Sequence, residues 1–214
     1  MSEEALKPAP PKPSALEAAR AAMRAEAAQP RVSWKSGAAR LIGASLGLSV
    51  LVAIVALGSG AAETGTLASR WLTLLALSVV GPLLAWSSAR PGSPWLRRGA
   101  WVLAALSAAA LVLTRPAQLA SLSTSPEWVC TLSHLAVAMP AAVVALWMLR
   151  GMAFDLSRAV AAGLAVGTTG ALLGELMCGR DATHIALFHL SSWTLAAIAV
   201  VALSTRLSRR SFVP

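Results

Sequence analysis

"LIGASLGLSVLVAIVALGSG", Leu41 to Gly60, has no charged residue from end to end. A bilayer crossing needs roughly 20 apolar residues, and this run has that length. Seven cations precede it: Lys7, Lys12, Arg20, Arg24, Arg31, Lys35 and Arg40. A cleaved secretory leader has an apolar core of only about 7–15 residues, so the run reads as an anchoring span. Five further apolar runs follow, at roughly 71–88, 99–114, 132–149, 159–177 and 184–204. Short polar loops separate them, so neighbouring helices are antiparallel. The expected fold is all-α: a six-span transmembrane helical bundle with a short mobile cytoplasmic N-terminal arm. On this reading residues 1–40 are the arm, 41–204 the membrane domain and 205–214 a cytoplasmic tail. The third run is short and ends at Arg115, so it is expected to reach the bilayer edge by tilting, thinning or snorkelling.

Composition agrees. The chain of 214 residues is 57% hydrophobic and 13% charged, too few charges to cover a soluble domain. Its net charge of +9 is explained by topology. With the N-terminus inside, only Arg70, Arg115 and Arg180 among the 18 cations fall outside, as the positive-inside rule requires. Both termini are then cytoplasmic, and no direct nucleic-acid partner is needed; the lipid bilayer is the first partner. Trp34, Trp71, Trp86, Trp101, Trp128 and Trp147 lie near the ends of the runs, as interfacial belt residues do.

The arm has a Pro-rich lead and then "SALEAARAAMRAEAAQP". Ser14 and Glu17 have capping-box spacing, and Pro30 closes the segment, so one short helix is expected. Its apolar stripe of Leu16, Ala19 and Met23 is too thin for stability in water. Such a segment suits folding against a partner.

Chemistry concentrates elsewhere. Both cysteines and all three histidines lie in "SPEWVCTLSH", Ser125 to His134, and "ELMCGRDATHIALFHLSSW", Glu175 to Trp193. The topology puts Cys130, His134, Cys178, His184 and, slightly deeper, His189 at one outer surface, facing the oxidising side of a bacterial-type inner membrane. Three readings fit. Cys130 and Cys178 form a disulfide; or Cys130 and His134, one helical turn apart, join Cys178 and His184 as a metal set for zinc or copper; or the thiols react with oxidants or thiophilic metals. Glu175 must face the bundle or outer water, where it orients His184 or His189 or snorkels. Asp155 reads as a solvated loop residue.

No Ser–His–Asp set, H-E-x-x-H or Walker loop is present, so no enzyme activity and no cofactor are expected. Gly167, Gly170 and Gly174 read as small residues allowing close helix approach. His134 and His189 are the one pairing available for haem.

The stretches "EWVC" (127–130), "MLRGMAFDLSRA" (148–159), "GLAVGTTGALLGELMCG" (163–179) and "HIALFHLSSW" (184–193) together resemble the NrsF-type membrane anti-sigma family. "AEAAQPRVSW" (25–34) is similar to that family's stretch before its first span, which adds Pro30 and Val32 to the arm's partner-binding candidates. Gly179 stands where a proline often follows the cysteine, Phe188 where a tryptophan is usual, and the tail lacks an Arg-Trp ending. The resemblance implies a protein that holds an extracytoplasmic-function sigma factor at the inner membrane. Release follows an oxidative, light or metal signal, by conformational change or through a membrane protease. The alternative is a small transporter or a metal- or haem-binding membrane protein without a sigma partner.

Overall fold

The computed structural model describes residues 14, 16–18, 20–21, 33–60, 68–115, 127–150 and 152–210. Contacts divide the chain into two compact units, Met1–Arg31 and Val32–Pro214. In the first unit, Ser14 N–H donates to Glu17 Oε2 at 3.0 Å and Glu17 N–H to Ser14 Oγ at 3.3 Å. This is the reciprocal capping box expected from the sequence. Leu16 is exposed; Ala19, Met23, Pro30 and Val32 lie outside the described residues.

Among the described residues the second unit has six long helices: α1 (Trp34–Gly58), α2 (Trp71–Ala89), α3 (Pro94–Leu113), α4 (Trp128–Arg150), α5 (Leu156–Met177) and α6. The last is built from a turn at Ala182–His184, a π-helical segment at Ile185–His189 and the α-helix Leu190–Arg210. All six are long and apolar enough to cross a membrane. Several extend past their apolar runs, because polar residues such as Lys35 and Arg40 continue the helix with their side chains exposed.

The third helix is longer than its apolar run. Pro94 starts α3 at its first turn, a favoured proline position, and gives a helix of 20 residues. At 1.5 Å per residue that is about 30 Å, with Arg97 and Arg98 inside its first turns. The turn before it uses Gly92 at φ 68°, a left-handed conformation open to glycine.

Helix α5 is the hub. Sixteen of its 22 residues are buried, and all five other helices touch it. Around it, α2 and α4 flank α1, α3 lies beside α2 and the start of α6, and α6 returns to α4. The sequence permits this because the α5 core is Ala, Gly and Thr. A Cβ on Gly163 would lie 2.5 Å from Ala197 Cα, and one on Gly170 2.8 Å from the His134 carbonyl oxygen. On Gly167 it would strike the Trp193 ring, and on Gly174 the His189 ring. The indole N–H of Trp193 donates to Leu164 O at 2.6 Å, which fixes α6 against α5. Gly167→Ala should therefore cost about 1–3 kcal/mol by overpacking. Gly43→Ala meets nothing within 4 Å and serves as control. Thermal unfolding in detergent checks the pair, and equal melting temperatures would refute the close approach.

At the opposite end from the cysteines, Asp155 is no free loop residue. It caps α5 by accepting from Ser157 N and Arg158 N and pairs with the buried Arg97 at 3.2 Å. Burial opposes its ionisation, but hydrogen bonds from Ser157 and Arg158 and the Arg97 charge outweigh it and lower its pKa.

Candidate functional site

Cys130 lies in the first turn of α4, and Cys178 is the C-cap of α5. His184 and His189 bracket the π-helical segment of α6. One ligand atom from each of these four residues lies within 4.8 Å of the other three. Residues up to 59 positions apart in the chain, Cys130 and His189, thus converge on one point. Both thiols are free in the structure. A cavity of about 490 Å³ adjoins them, lined by Cys130, Ser133, His134, Met177, Cys178 and Arg180 among others.

The histidine set differs from the sequence reading. His189, not His134, completes the four. His134 packs edge-on against His189 at 4.3 Å between ring centroids, with its Nδ1 3.4 Å from Ser192 Oγ. The π-helical segment explains the exchange. Its wider turn changes the facing of residues 184–189 relative to a regular helix, and such segments are frequent at functional sites. Phe188 O accepts from Thr131 Oγ1 at 2.9 Å, tying the segment to α4. With the His134 and His189 rings in edge contact, no macrocycle fits between them, so this pair cannot bracket a haem.

Both nitrogens of His184 and Nε2 of His189 are buried without a hydrogen-bond partner among the described residues. Buried polar atoms are rarely left so. Two imidazoles with unpartnered ring nitrogens beside two thiols form a donor set of the kind that zinc or copper(I) selects.

Glu175 is not the partner of these histidines. It is 1% exposed and faces the other side of α5. Arg115 Nη2 donates to its Oε2 at 2.5 Å, and Thr73 Oγ1 to its Oε1 at 2.5 Å. Arg70 Nη1 donates to the carbonyls of Glu175 and Cys178 at 2.7 and 2.9 Å, and Arg115 Nη1 to that of Cys178 at 3.0 Å. Burial first, and then the Arg115 charge, push the Arg70 guanidinium below its ordinary pKa, with Glu175 acting the other way. Sequence reading counted these arginines as topology markers and missed their role. A signal existed: an embedded carboxylate needs a cation, and that surface has only Arg70, Arg115 and Arg180.

Six helices long and apolar enough to cross a membrane, with two thiols and two imidazoles gathered at one end, define a helical membrane protein. The chain belongs to the family described as NrsF, negative regulator of sigma F, whose model matches residues 17–211. This gives it a regulatory role directed at a sigma factor. It is also 44% identical over 203 residues to the carotenogenesis protein CarR of Myxococcus xanthus, covering 94% of this chain and 91% of that one. No solved structure matches the chain.

Proposed function

We propose that the protein is an anti-sigma factor of the bacterial inner membrane that sequesters an extracytoplasmic-function sigma factor and releases it when the Cys130–Cys178 cluster changes state. Residues 1–40 hold the sigma factor, both termini lie in the cytoplasm, and the cluster faces outward. The likeness to a carotenogenesis protein supports a light-generated oxidant as signal and carotenoid synthesis as the regulated output. The convergence of two thiols with two histidines bearing unpartnered ring nitrogens, on three different spans, carries the reading. Oxidation joins the two sulfurs, with two protons and two electrons passing to the oxidant. A thiophilic metal instead takes both thiolates and the imidazoles, releasing the thiol protons. Either event changes how α4 sits against α5 and α6, and a membrane protease can complete release. A hundredfold change in sigma affinity needs about 2.7 kcal/mol of coupling, an ordinary allosteric magnitude.

The test is purification of the native protein in mild detergent from unstressed cells, with co-purifying proteins quantified by mass spectrometry. A near-stoichiometric sigma factor supports the reading. Its absence even after crosslinking returns the cluster to a transporter or metal protein. For the sensor, Cys130→Ser and Cys178→Ser should each reduce induction by oxidant or copper at least about tenfold while repression persists. Reporter transcription checks this, and variants that respond like the parent would make the cysteines structural.

A further inference from the structure

A second cavity, of about 340 Å³, lies among α2, α3 and the end of α5 and is lined by Arg70, Thr73, Thr114, Arg115, Glu175 and Gly179 among others. Among the described residues, two guanidinium groups and one carboxylate line it. The Arg115 side chain is 5% exposed and pairs with Glu175, and Arg70 beside it is half-buried. The first turn of α2 also lines it, through Leu72 and Thr73. Arg70 at the N-cap gives that helix no side-chain cap, so its first amide N–H groups lack intrahelical partners.

Two guanidinium groups against one carboxylate among the described residues, and a helix N-terminus without a side-chain cap, both favour an anion in the same place. Planar arginine forks match the oxygens of tetrahedral oxyanions. We propose that this cavity is a binding site for a phosphate group, carried by a phospholipid headgroup or present as free phosphate. Arg70 and Arg115 are its binding residues. The site is separate from the thiol–imidazole cluster but shares a backbone turn with it, because both arginines also hold the Cys178 carbonyl. The inference does not depend on a sigma partner.

The full-length protein in a maltoside detergent provides the test. Its apparent melting temperature is followed against inorganic phosphate, with chloride at matched ionic strength as baseline. In parallel it is followed against phosphatidylglycerol, with uncharged diacylglycerol of the same chains as baseline. A saturable rise with inorganic phosphate assigns the free ion; a rise with phosphatidylglycerol alone assigns the headgroup. Arg70→Gln, which leaves the Arg115–Glu175 pair in place, should weaken the effective ligand at least about tenfold, the loss expected for one charge-assisted hydrogen bond. Should Arg70→Gln fail to fold, Arg70→Lys, which keeps the charge without the fork, should give a smaller weakening. No saturable response to either ligand overturns the proposal. So does a response unchanged by substitution of Arg70.

Discussion

Deleting residues 1–31 is expected to leave α1–α6 inserted and to raise target transcription to the level of a strain lacking the protein. The deletion stops before Ser33, the N-cap of α1, and removes the unit Met1–Arg31, which is distinct from the bundle by contacts. The bundle therefore loses none of its own packing. If the arm is the sigma-holding segment, the truncated protein keeps its cysteine cluster and has nothing to release. Reporter transcription, read with membrane fractionation to show that the truncated chain is present, checks the result. Full repression by the truncated protein would move the sigma-binding surface to the loops between spans.

Arg115→Ala is expected to be the most destabilising single substitution in the bundle. It leaves Glu175, 1% exposed, with the Thr73 hydroxyl and without its cation. Breaking a buried pair from one side costs about 3–5 kcal/mol, whereas replacing both members by apolar groups of similar volume is often neutral. Arg115→Met with Glu175→Met should thus recover most of the loss. Thermal unfolding and monodispersity in detergent measure both variants. A single variant as stable as the parent would show that Arg115 and Glu175 do not act as a buried pair.

The helices were legible because apolar runs of bilayer length have few other destinations, and because Gly167, Gly170 and Gly174 fall on one segment. Ser14 and Glu17 were legible for a similar reason, since a cap is local chemistry. The candidate site was legible as a gathering of residues, Cys130, Cys178, His134, His184 and His189, but not in its internal partition. A regular helical phase puts His134 below Cys130 and gives no hint that a π-helical segment turns His189 to the thiols instead. The Glu175 network was hidden for another reason. Its partners Arg70, Thr73 and Arg115 lie 60 or more positions away in sequence, and a cation at the end of a span looks the same whether it reaches water or a buried carboxylate.

Trp193 and the glycines beneath it bear on how movement can pass through the bundle. Gly163 and Gly167 seat Ala197 and Trp193 as teeth seat in a rack, and the indole bond to Leu164 holds that engagement. Helices α5 and α6 are therefore interlocked into one rod. Cys178, His184 and His189 ride on the rod, while Cys130 belongs to α4. A change in the distance between the two sulfurs beyond what side-chain rotation supplies pivots the rod against α4. Over the roughly 33 Å length of a 22-residue helix, a pivot of about 5° sweeps the far end by about 3 Å. A small rearrangement around two sulfur atoms on one side of the membrane thus becomes a displacement of about one atom's width on the other.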